Sequence, residues 1–245
     1  MQNDPKDPKD PNKSLFHART GPAHRNAQGK AKDMTVERES IEFDVLFVGG
    51  GPASLAGAIR LMQRAEGEGL SPEVAVIEKG AEFGAHALSG AVMNPGPLAD
   101  LIPDYKDRDY PLEARVRGDA FYHLTRTGRQ RIPYIPPAMH NTGFHVVSLS
   151  RLTRWLAEIA EEMGINLFPG FAGKEILYAS DQRTVAGVRT DDKGLDKSGA
   201  PRSNFEPGID LMAKVTVFGE GARGNLTRSL TDRLRLDGGR KPPVY

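Results

Sequence analysis

Four small or acidic residues at a characteristic spacing mark the first place where this sequence could do chemistry. Gly49, Gly51 and Ser54 follow the apolar run Phe43–Val48, and Glu78 ends the next apolar run. In dinucleotide-binding proteins the first glycine allows a tight turn, the second lets the backbone approach a pyrophosphate, and the third small residue lets the helix lie close to the strand. A carboxylate in the position of Glu78 accepts hydrogen bonds from ribose hydroxyls. The spacing predicts a nucleotide-binding turn.

Ser54 departs from the usual pattern, which has glycine at the third position. We expect its hydroxyl to bond the preceding turn, so that the packing survives slightly loosened. Pro52 and Ala53 begin the helix, whose N-terminus offers N–H groups and a positive dipole end to a phosphate. The alternatives are a glycine-rich turn without a ligand and, for Glu78, a solvated charge at the end of a strand.

A second glycine-rich segment follows Lys79 and favours a flavin over a nicotinamide dinucleotide. It reads GAEFGAHALSGA over 80–91, where nicotinamide enzymes usually turn directly into another helix. Small residues let a loop lie against an extended cofactor. We expect Gly84–Gly90 to approach the ribityl chain and the flavin, with His86 and Ser89 donating hydrogen bonds. The alternative for His86 is a structural histidine.

A third segment, AKVTVFGEGARG over 213–224, combines an apolar strand with an acid-glycine turn. It predicts a second approach to the cofactor, with Glu220 or the Gly221 backbone near the ribityl or pyrophosphate region. Arg151, at the start of a predicted helix, could also approach the cofactor, and a solvated first-turn arginine is the alternative. The sequence shows no nucleophile triad, HExxH motif or Walker loop, so we expect the cofactor to carry the chemistry.

The composition excludes several classes of function. The net charge of +1 gives no global field for nucleic acid, and the absence of cysteine excludes thiolate-held iron–sulfur clusters within this sequence. No apolar run is long enough for a membrane-spanning helix. The N-terminus lacks the apolar stretch of a secretory signal and is rich in acid for a mitochondrial transit peptide. A bacterial cytoplasmic location is the expectation, with peripheral membrane contact open.

The order of the predicted elements favours an α/β fold. A strand over 43–48, a helix over 53–64 and a strand over 74–77 form a βαβ unit, which is typical of a parallel, doubly wound sheet. Residues 1–40 are polar and repetitive, and we expect them to be disordered. The further predictions are a short helix at 98–102, a hairpin over 121–132, a strand at 144–149, a helix over 151–163 capped by Ser150, strands at 174–180, 184–190 and 209–218, and a helix over 223–234.

At this point the residues resemble a known family. The strings VGGGPAS (48–54) and VIEKGAEFGAHALSGAVMNPG (76–96) are similar to the pattern GAGPAG, EK and GAHxLSGAxxxP of the electron-transfer-flavoprotein:ubiquinone oxidoreductases. The resemblance runs from about residue 41 to the end. It implies a Rossmann-like FAD-binding domain over 41–245, incomplete at its C-terminus, with 111–145 belonging to an inserted quinone- or substrate-side segment.

The resemblance also implies an activity and partners. Family members take electrons from reduced electron transfer flavoprotein and pass them to ubiquinone, using FAD and a 4Fe-4S cluster for which this chain has no ligands. They contact one membrane leaflet, here around Phe83–Asp104 on the cytoplasmic side of a bacterial inner membrane; the alternative is a loop and helix packed on their own core. The competing hypotheses are another FAD-dependent oxidoreductase, such as a geranylgeranyl-reductase-like or monooxygenase-like enzyme, and a non-catalytic fragment.

Overall fold

The computed structural model describes residues 37–88 and 90–238, and the predictions for residues 1–36 lie outside that range. The strands are β1 (Ser40–Val48), β2 (Val74–Glu78), β3 (Gly90–Met93), β4 (Leu112–Arg115), β5 (Phe121–Leu124), β6 (Arg129–Ile132), β7 (His145–Ser148), β8 (Asn166–Pro169), β9 (Gly173–Tyr178), β10 (Val185–Thr190), β11 (Lys193–Leu195), β12 (Pro201–Glu206) and β13 (Asp210–Phe218). The helices are α1 (Pro52–Gly67), α2 (Gly96–Leu101), α3 (Leu149–Glu162) and α4 (Asn225–Leu234).

The main sheet has six strands in the order β8-β2-β1-β13-β10-β9. The first four strands are parallel, and β10 and β9 are antiparallel to their neighbours. The crossover from β1 through α1 to the parallel strand β2 is the predicted βαβ unit. The prediction of an α/β, Rossmann-like fold is therefore confirmed.

One face of the main sheet is covered by α1 and α3. Leu55 and Ile59 of α1 and Trp155 of α3 belong to a buried cluster with Phe47 and Val76 of the sheet. This core forms because α3 repeats apolar residues at helical spacing along one side, which is the pattern of a helix with one buried face. Together α1 and α3 fix the carboxyl ends of β1 and β2.

The opposite face carries a second cluster, to which α4 contributes Leu226 beside Val188 and Leu211 of the sheet. Arg38, just before β1, is attached to the loops that flank β11 and β12. Its guanidinium donates hydrogen bonds to the Asp192 carboxylate at 3.1 Å and to the Gly208 carbonyl at 3.0 Å. Arg38, which lies within the segment predicted to be disordered, is therefore bonded to the folded domain.

The α3 helix begins earlier than predicted. Its N-cap is Ser148, whose hydroxyl accepts a hydrogen bond from the Arg151 amide at 3.4 Å, so the predicted cap, Ser150, lies inside the first turn. A serine in either place satisfies the sequence pattern. Ser148 takes the role because it ends β7 in an extended conformation, which is the backbone geometry of an N-cap.

A smaller β-rich region interrupts the main fold. β3, β7 and β4 form a three-stranded antiparallel sheet, and β5 and β6 form a separate two-stranded hairpin. The hairpin pairs Phe121 with Ile132 and Leu124 with Arg129, as the sequence predicts. The three-stranded sheet includes β3, so it begins before the predicted boundary at residue 111.

Part of the predicted membrane-facing segment, Phe83–Asp104, lies in the protein core. Leu98, Leu101 and Ile102 are each less than a tenth exposed and belong to the cluster beneath α1 and α3. These three residues cannot enter a lipid leaflet without leaving that core, so the alternative, a loop and helix packed on its own protein, describes them. Leu88 and Val92 of the same segment are 86% and 49% exposed. Among the described residues, the helices are too short or too polar to span a bilayer.

Candidate functional site

A cavity of about 600 Å³ opens where β1, β2 and β13 end. Its position follows from the fold, because in open α/β sheets ligands bind outside the carboxyl ends of the parallel strands. The residues that line it come from all three predicted segments and from the start of β9. They are Val48–Pro52, Ile77–Lys79, Gly84, His86, Ala87, Thr153, Phe171–Lys174, Asp191, Gly219–Gly221 and Arg223–Asn225.

Gly49 makes the tight turn out of β1. Its φ of 102° lies in the region that favours glycine, and a side chain there would put Cβ 2.5 Å from the Gly219 carbonyl oxygen. The next residue, Gly50, is equally confined, because a Cβ would lie 2.4 Å from the Phe83 ring. Two consecutive glycines are therefore required here by the neighbouring elements.

Gly51 differs from these two glycines. It is the N-cap of α1, and a Cβ added to it would meet nothing within 4 Å. Since Gly51 lines the cavity, that open space is the approach that a phosphate needs at a helix N-terminus. Pro52 occupies the first helical position and also lines the cavity, whereas Ala53 is exposed and does not line it.

Ser54 behaves differently from the prediction. Its side chain is buried, and its hydroxyl has no hydrogen-bond partner among the described residues, so it does not bond the preceding turn. The hydroxyl points at Gly219, where an added Cβ would be only 2.0 Å away. The Ser54 side chain therefore fits against the turn after β13 because residue 219 is a glycine.

Glu78 connects two of the predicted loops. One carboxylate oxygen accepts a hydrogen bond from the Gly50 amide at 2.9 Å, and the other accepts one from the Gly80 amide at 2.7 Å. His86 Nδ1 lies 3.5 Å from the second oxygen. Because each carboxylate oxygen can accept two hydrogen bonds, Glu78 keeps capacity for the hydroxyls of a ribose in the cavity.

The glycine-rich loop after Lys79 contributes only part of its predicted set. Gly84 has a φ of 82°, and its missing side chain lets it lie against the Ser150 carbonyl, 2.4 Å from where a Cβ would be. His86 is exposed and lines the cavity. Gly90 pairs with Ser148 in the small sheet and does not line the cavity.

The remaining predicted donors are Ser89 and Arg151. Ser89 lies outside the described residues. Arg151 does not line the cavity; its guanidinium is bonded to Glu113 of β4. The alternative for Arg151, a solvated first-turn arginine, describes this geometry.

In the acid-glycine turn after β13, Glu220 and Gly221 have different roles. Glu220 accepts hydrogen bonds from the amides of Leu226 and Thr227, at 3.2 and 2.7 Å, and so caps α4. Gly221 has a φ of 81° and open space at its Cβ position, and it lines the cavity. The backbone of Gly221 is therefore free to approach a ligand, while the Glu220 side chain supports the turn from behind.

The cavity lining carries three carboxylates and three cations, and two of the cations are available to an anion. Glu78 and Glu220 both face backbone amides, and Asp191 pairs with Lys174 at 3.2 Å. Lys79 and Arg223 line the cavity and form no ion pair with any described residue. These two cations and the α1 N-terminus are the groups of the lining that can bind a diphosphate.

Sequence reasoning missed one side of the cavity. Phe171–Lys174 line it because the unpredicted strand β8 is parallel to β2 and ends beside Glu78. The Gly170 and Phe171 amides donate to the carbonyls of Gly80 and Glu78. The available signal was the apolar run Ile165–Phe168, followed by proline and glycine, directly after the predicted helix.

Comparison with known proteins adds a family context. No family model matches the chain. It is 45% identical over 208 residues to the mitochondrial electron transfer flavoprotein-ubiquinone oxidoreductase of Dictyostelium discoideum, covering 85% of this chain and 34% of the relative. The probable enzyme of Acinetobacter baylyi is 45% identical over 216 residues, covering 86% and 38%. The human enzyme is 39% identical over 222 residues, covering 90% and 36%.

Solved structures show the same fold. A geranylgeranyl bacteriochlorophyll reductase-like protein from Thermoplasma acidophilum superposes with a TM-score of 0.55 at 20% identity, covering 77% of this chain and 42% of that one. The myxobacterial FAD-dependent chondrochloren halogenase superposes with a TM-score of 0.52 at 19% identity, covering 77% and 39%. At these identities the likeness shows the architecture alone.

The curated relatives show what the chain resembles in sequence. It spans about a third of the length of its curated relatives, and it matches their N-terminal portion. The sequence resemblance is therefore confirmed: this chain is similar to the N-terminal portion of the electron transfer flavoprotein-ubiquinone oxidoreductases.

Proposed function

We propose that this chain holds FAD in the cavity at the ends of β1, β2 and β13, and provides the nucleotide-binding part of an electron transfer flavoprotein-ubiquinone oxidoreductase. One observation carries the proposal: open space at Gly51, beside the hydrogen-bonded Glu78, lies where a dinucleotide binds in this fold. When bound, FAD supplies the electron-transfer chemistry, and the chain's own residues supply binding and orientation.

The adenosine diphosphate half is assigned to the first two strand ends. The turn Gly49–Ser54 offers the pyrophosphate an open backbone at Gly51 and the N-terminus of α1. Glu78 and Lys79 face the cavity beside it, with Glu78 held in place by two backbone amides. In this arrangement Glu78 orients the ribose and Lys79 adds positive charge near the phosphates.

The ribityl and flavin half is assigned to the other two segments. Gly84 and Gly221 have positive φ and line the cavity, so their backbones can lie close to an extended chain of hydroxyls. His86 faces the same space and can donate a hydrogen bond. Ser89 keeps its predicted role as a hydrogen-bond donor, and Glu220 acts through the turn that it stabilises.

The electron donor and acceptor follow from the relatives, whose names give electron transfer flavoprotein and ubiquinone. This chain has no cysteine, so a 4Fe-4S cluster would need ligands from other polypeptide. Replacing the matched portion of the Acinetobacter baylyi relative by this chain tests the activity. We expect the joined protein to reduce a ubiquinone analogue with reduced electron transfer flavoprotein; a flavin-loaded protein without turnover would contradict it.

The hairpin β5–β6 joins the exposed part of Phe83–Asp104 as a proposed membrane-contacting surface. Leu124 is 73% exposed, and the aromatic side chains of Phe121 and Tyr122 are exposed beside it. Arg126 and Arg129 lie at the same end, and exposed apolar groups with basic neighbours suit anionic lipid headgroups. The proposed location is the cytoplasmic face of a bacterial inner membrane.

Replacing Gly51 by leucine tests the FAD site. The new side chain would fill the open space that the pyrophosphate needs, so we expect the Gly51→Leu variant to lose FAD binding in a calorimetric titration. Gly67→Leu is the matched control, because Gly67 also has open space at its Cβ position but lies at the far end of α1. Equal FAD affinity in the two variants would contradict the proposed site.

A further inference from the structure

Strand β13 has one covered face and one open face. Leu211, Ala213 and Phe218 lie in the core that α4 helps to cover. Val215 and Val217, by contrast, are 54% and 37% exposed. The same strand is therefore part of a core on one side and presents two β-branched apolar side chains to solvent on the other.

The open valines lie in the middle of the sheet. β13 lies between β1 and β10, and its register places Val215 beside Val45 and Val217 beside Phe47. Val45 and Phe47 belong to the core that α1 covers. That cover weakens beyond β1, because α1 makes its main sheet contacts with β1 and β2. Parallel strands in α/β sheets are normally covered on both faces, so the open face of β13 lacks a layer.

The curated relatives indicate what supplies that layer. This chain spans 34% and 38% of the length of two of them and matches their N-terminal portion. We propose that the polypeptide which follows this portion in the relatives docks on Val215 and Val217 through the apolar face of a helix lying beside α1. Helices packed side by side are about 8–10 Å apart, which places the neighbour of α1 over β13.

The proposal rests on the same similarity as the proposed function, but it does not require FAD to be bound. It predicts that a thiol at residue 215 becomes protected when that polypeptide is present. The chain contains no cysteine, so Val215→Cys introduces a single reactive thiol. Leu70→Cys, at a 59% exposed position after α1, is the matched control.

The probe is the part of the Acinetobacter baylyi relative that follows its match to this chain, produced separately. The rate of alkylation is measured on the full chain by mass spectrometry, with and without the probe. We expect alkylation at Val215→Cys to slow at least about tenfold, since burial excludes the reagent, while Leu70→Cys reacts at its original rate. Unchanged rates at both positions, or slowing at both, would overturn the proposal.

Two further measurements identify the polypeptide that covers the open face of β13. In a single polypeptide that joins this chain to the same part of the relative, Val215→Cys must also react more slowly than in the chain alone; equal rates would overturn the proposal. Protection that increases with the concentration of the chain alone would show that a second copy covers this face, and would also overturn it. The same samples are also incubated with FAD and desalted, and their flavin absorbance separates the two ideas: a protected thiol in a sample that retains no flavin would count against the FAD site only.

Discussion

The nucleotide turn and the β5–β6 hairpin are both built around glycine, yet they are held in different ways. At Gly49 and Gly50 an added Cβ would lie within 2.5 Å of atoms from β13 and the loop after β2. At Gly128, in the hairpin turn, the nearest atom to an added Cβ is 3.8 Å away, on the neighbouring Thr125. Contacts with residues that are distant in the chain determine the conformation of the nucleotide turn. The conformation of the hairpin is determined by the hydrogen bonds between its own two strands. Substitutions should therefore damage folding in the first region and surface contacts in the second.

The largest effect is expected from Gly49→Ala. The substitution forces alanine into a φ of 102° and against the Gly219 carbonyl, so we expect a loss of about 3 kcal/mol in the free energy of unfolding. Urea unfolding followed by circular dichroism measures it. Gly128→Ala is the control, with an expected change within about 0.5 kcal/mol. Equal unfolding midpoints in the two variants would break the comparison.

A smaller loss in the free energy of unfolding is expected from Glu220→Ala. The carboxylate caps α4 through two amides, and removing a cap costs about 1–2 kcal/mol. Urea unfolding of Glu220→Ala should show this loss, and Glu220→Gln, which keeps an acceptor oxygen, should show less. Glu66→Ala, on the exposed side of α1, is the control and should be neutral. An unchanged free energy of unfolding in Glu220→Ala would mean that α4 and the turn before it do not depend on the Glu220 cap.

His145, in strand β7 of the small sheet, should make the stability of the fold depend modestly on pH. Burial, reinforced by Arg115 and Lys106, lowers the pKa of His145 below its ordinary value of 6.5. The folded state therefore binds this proton less readily than the unfolded state, and stability falls as pH drops below about 6.5. His145→Gln should flatten that slope, measured as the melting temperature between neutral and mildly acidic pH. An unchanged slope would show that other groups dominate it.

The smallest effect on folding is expected from Leu124→Asp in the hairpin. Leu124 is 73% exposed, so the free energy of unfolding should change by no more than about 0.5 kcal/mol. Flotation with vesicles that contain phosphatidylglycerol should nevertheless decrease. Leu70→Asp, also exposed but far from the hairpin in the chain, should float like the unmodified protein. Equal flotation of both variants would remove the hairpin as the membrane contact.

The sequence predicted the elements whose signals are local. The glycines of the nucleotide turn, the βαβ unit and the hairpin over 121–132 all follow from patterns within a few residues. The strands β8 and β3 were missed because their pairing partners are distant in the chain, so no local pattern such as a hairpin turn marks them.

The site residues that sequence reasoning misjudged depend on tertiary contacts. Whether the Ser54 hydroxyl has a partner depends on Gly219, and whether Arg151 reaches the cavity depends on Glu113. The burial of Leu98 and Leu101 depends on where α1 and α3 pack. None of these neighbours is close in sequence, so a pattern in the chain cannot fix which one a side chain meets.

Hydrogen–deuterium exchange of the full chain with and without FAD tests the central claim most directly. FAD in the proposed cavity should slow exchange in the turn after β1, the loop after β2 and the turn after β13, because bound ligand suppresses local opening there. The hairpin over 121–132 should exchange equally in both states. Slower exchange in the hairpin alone, or no change in the three segments under saturating FAD, would contradict the account.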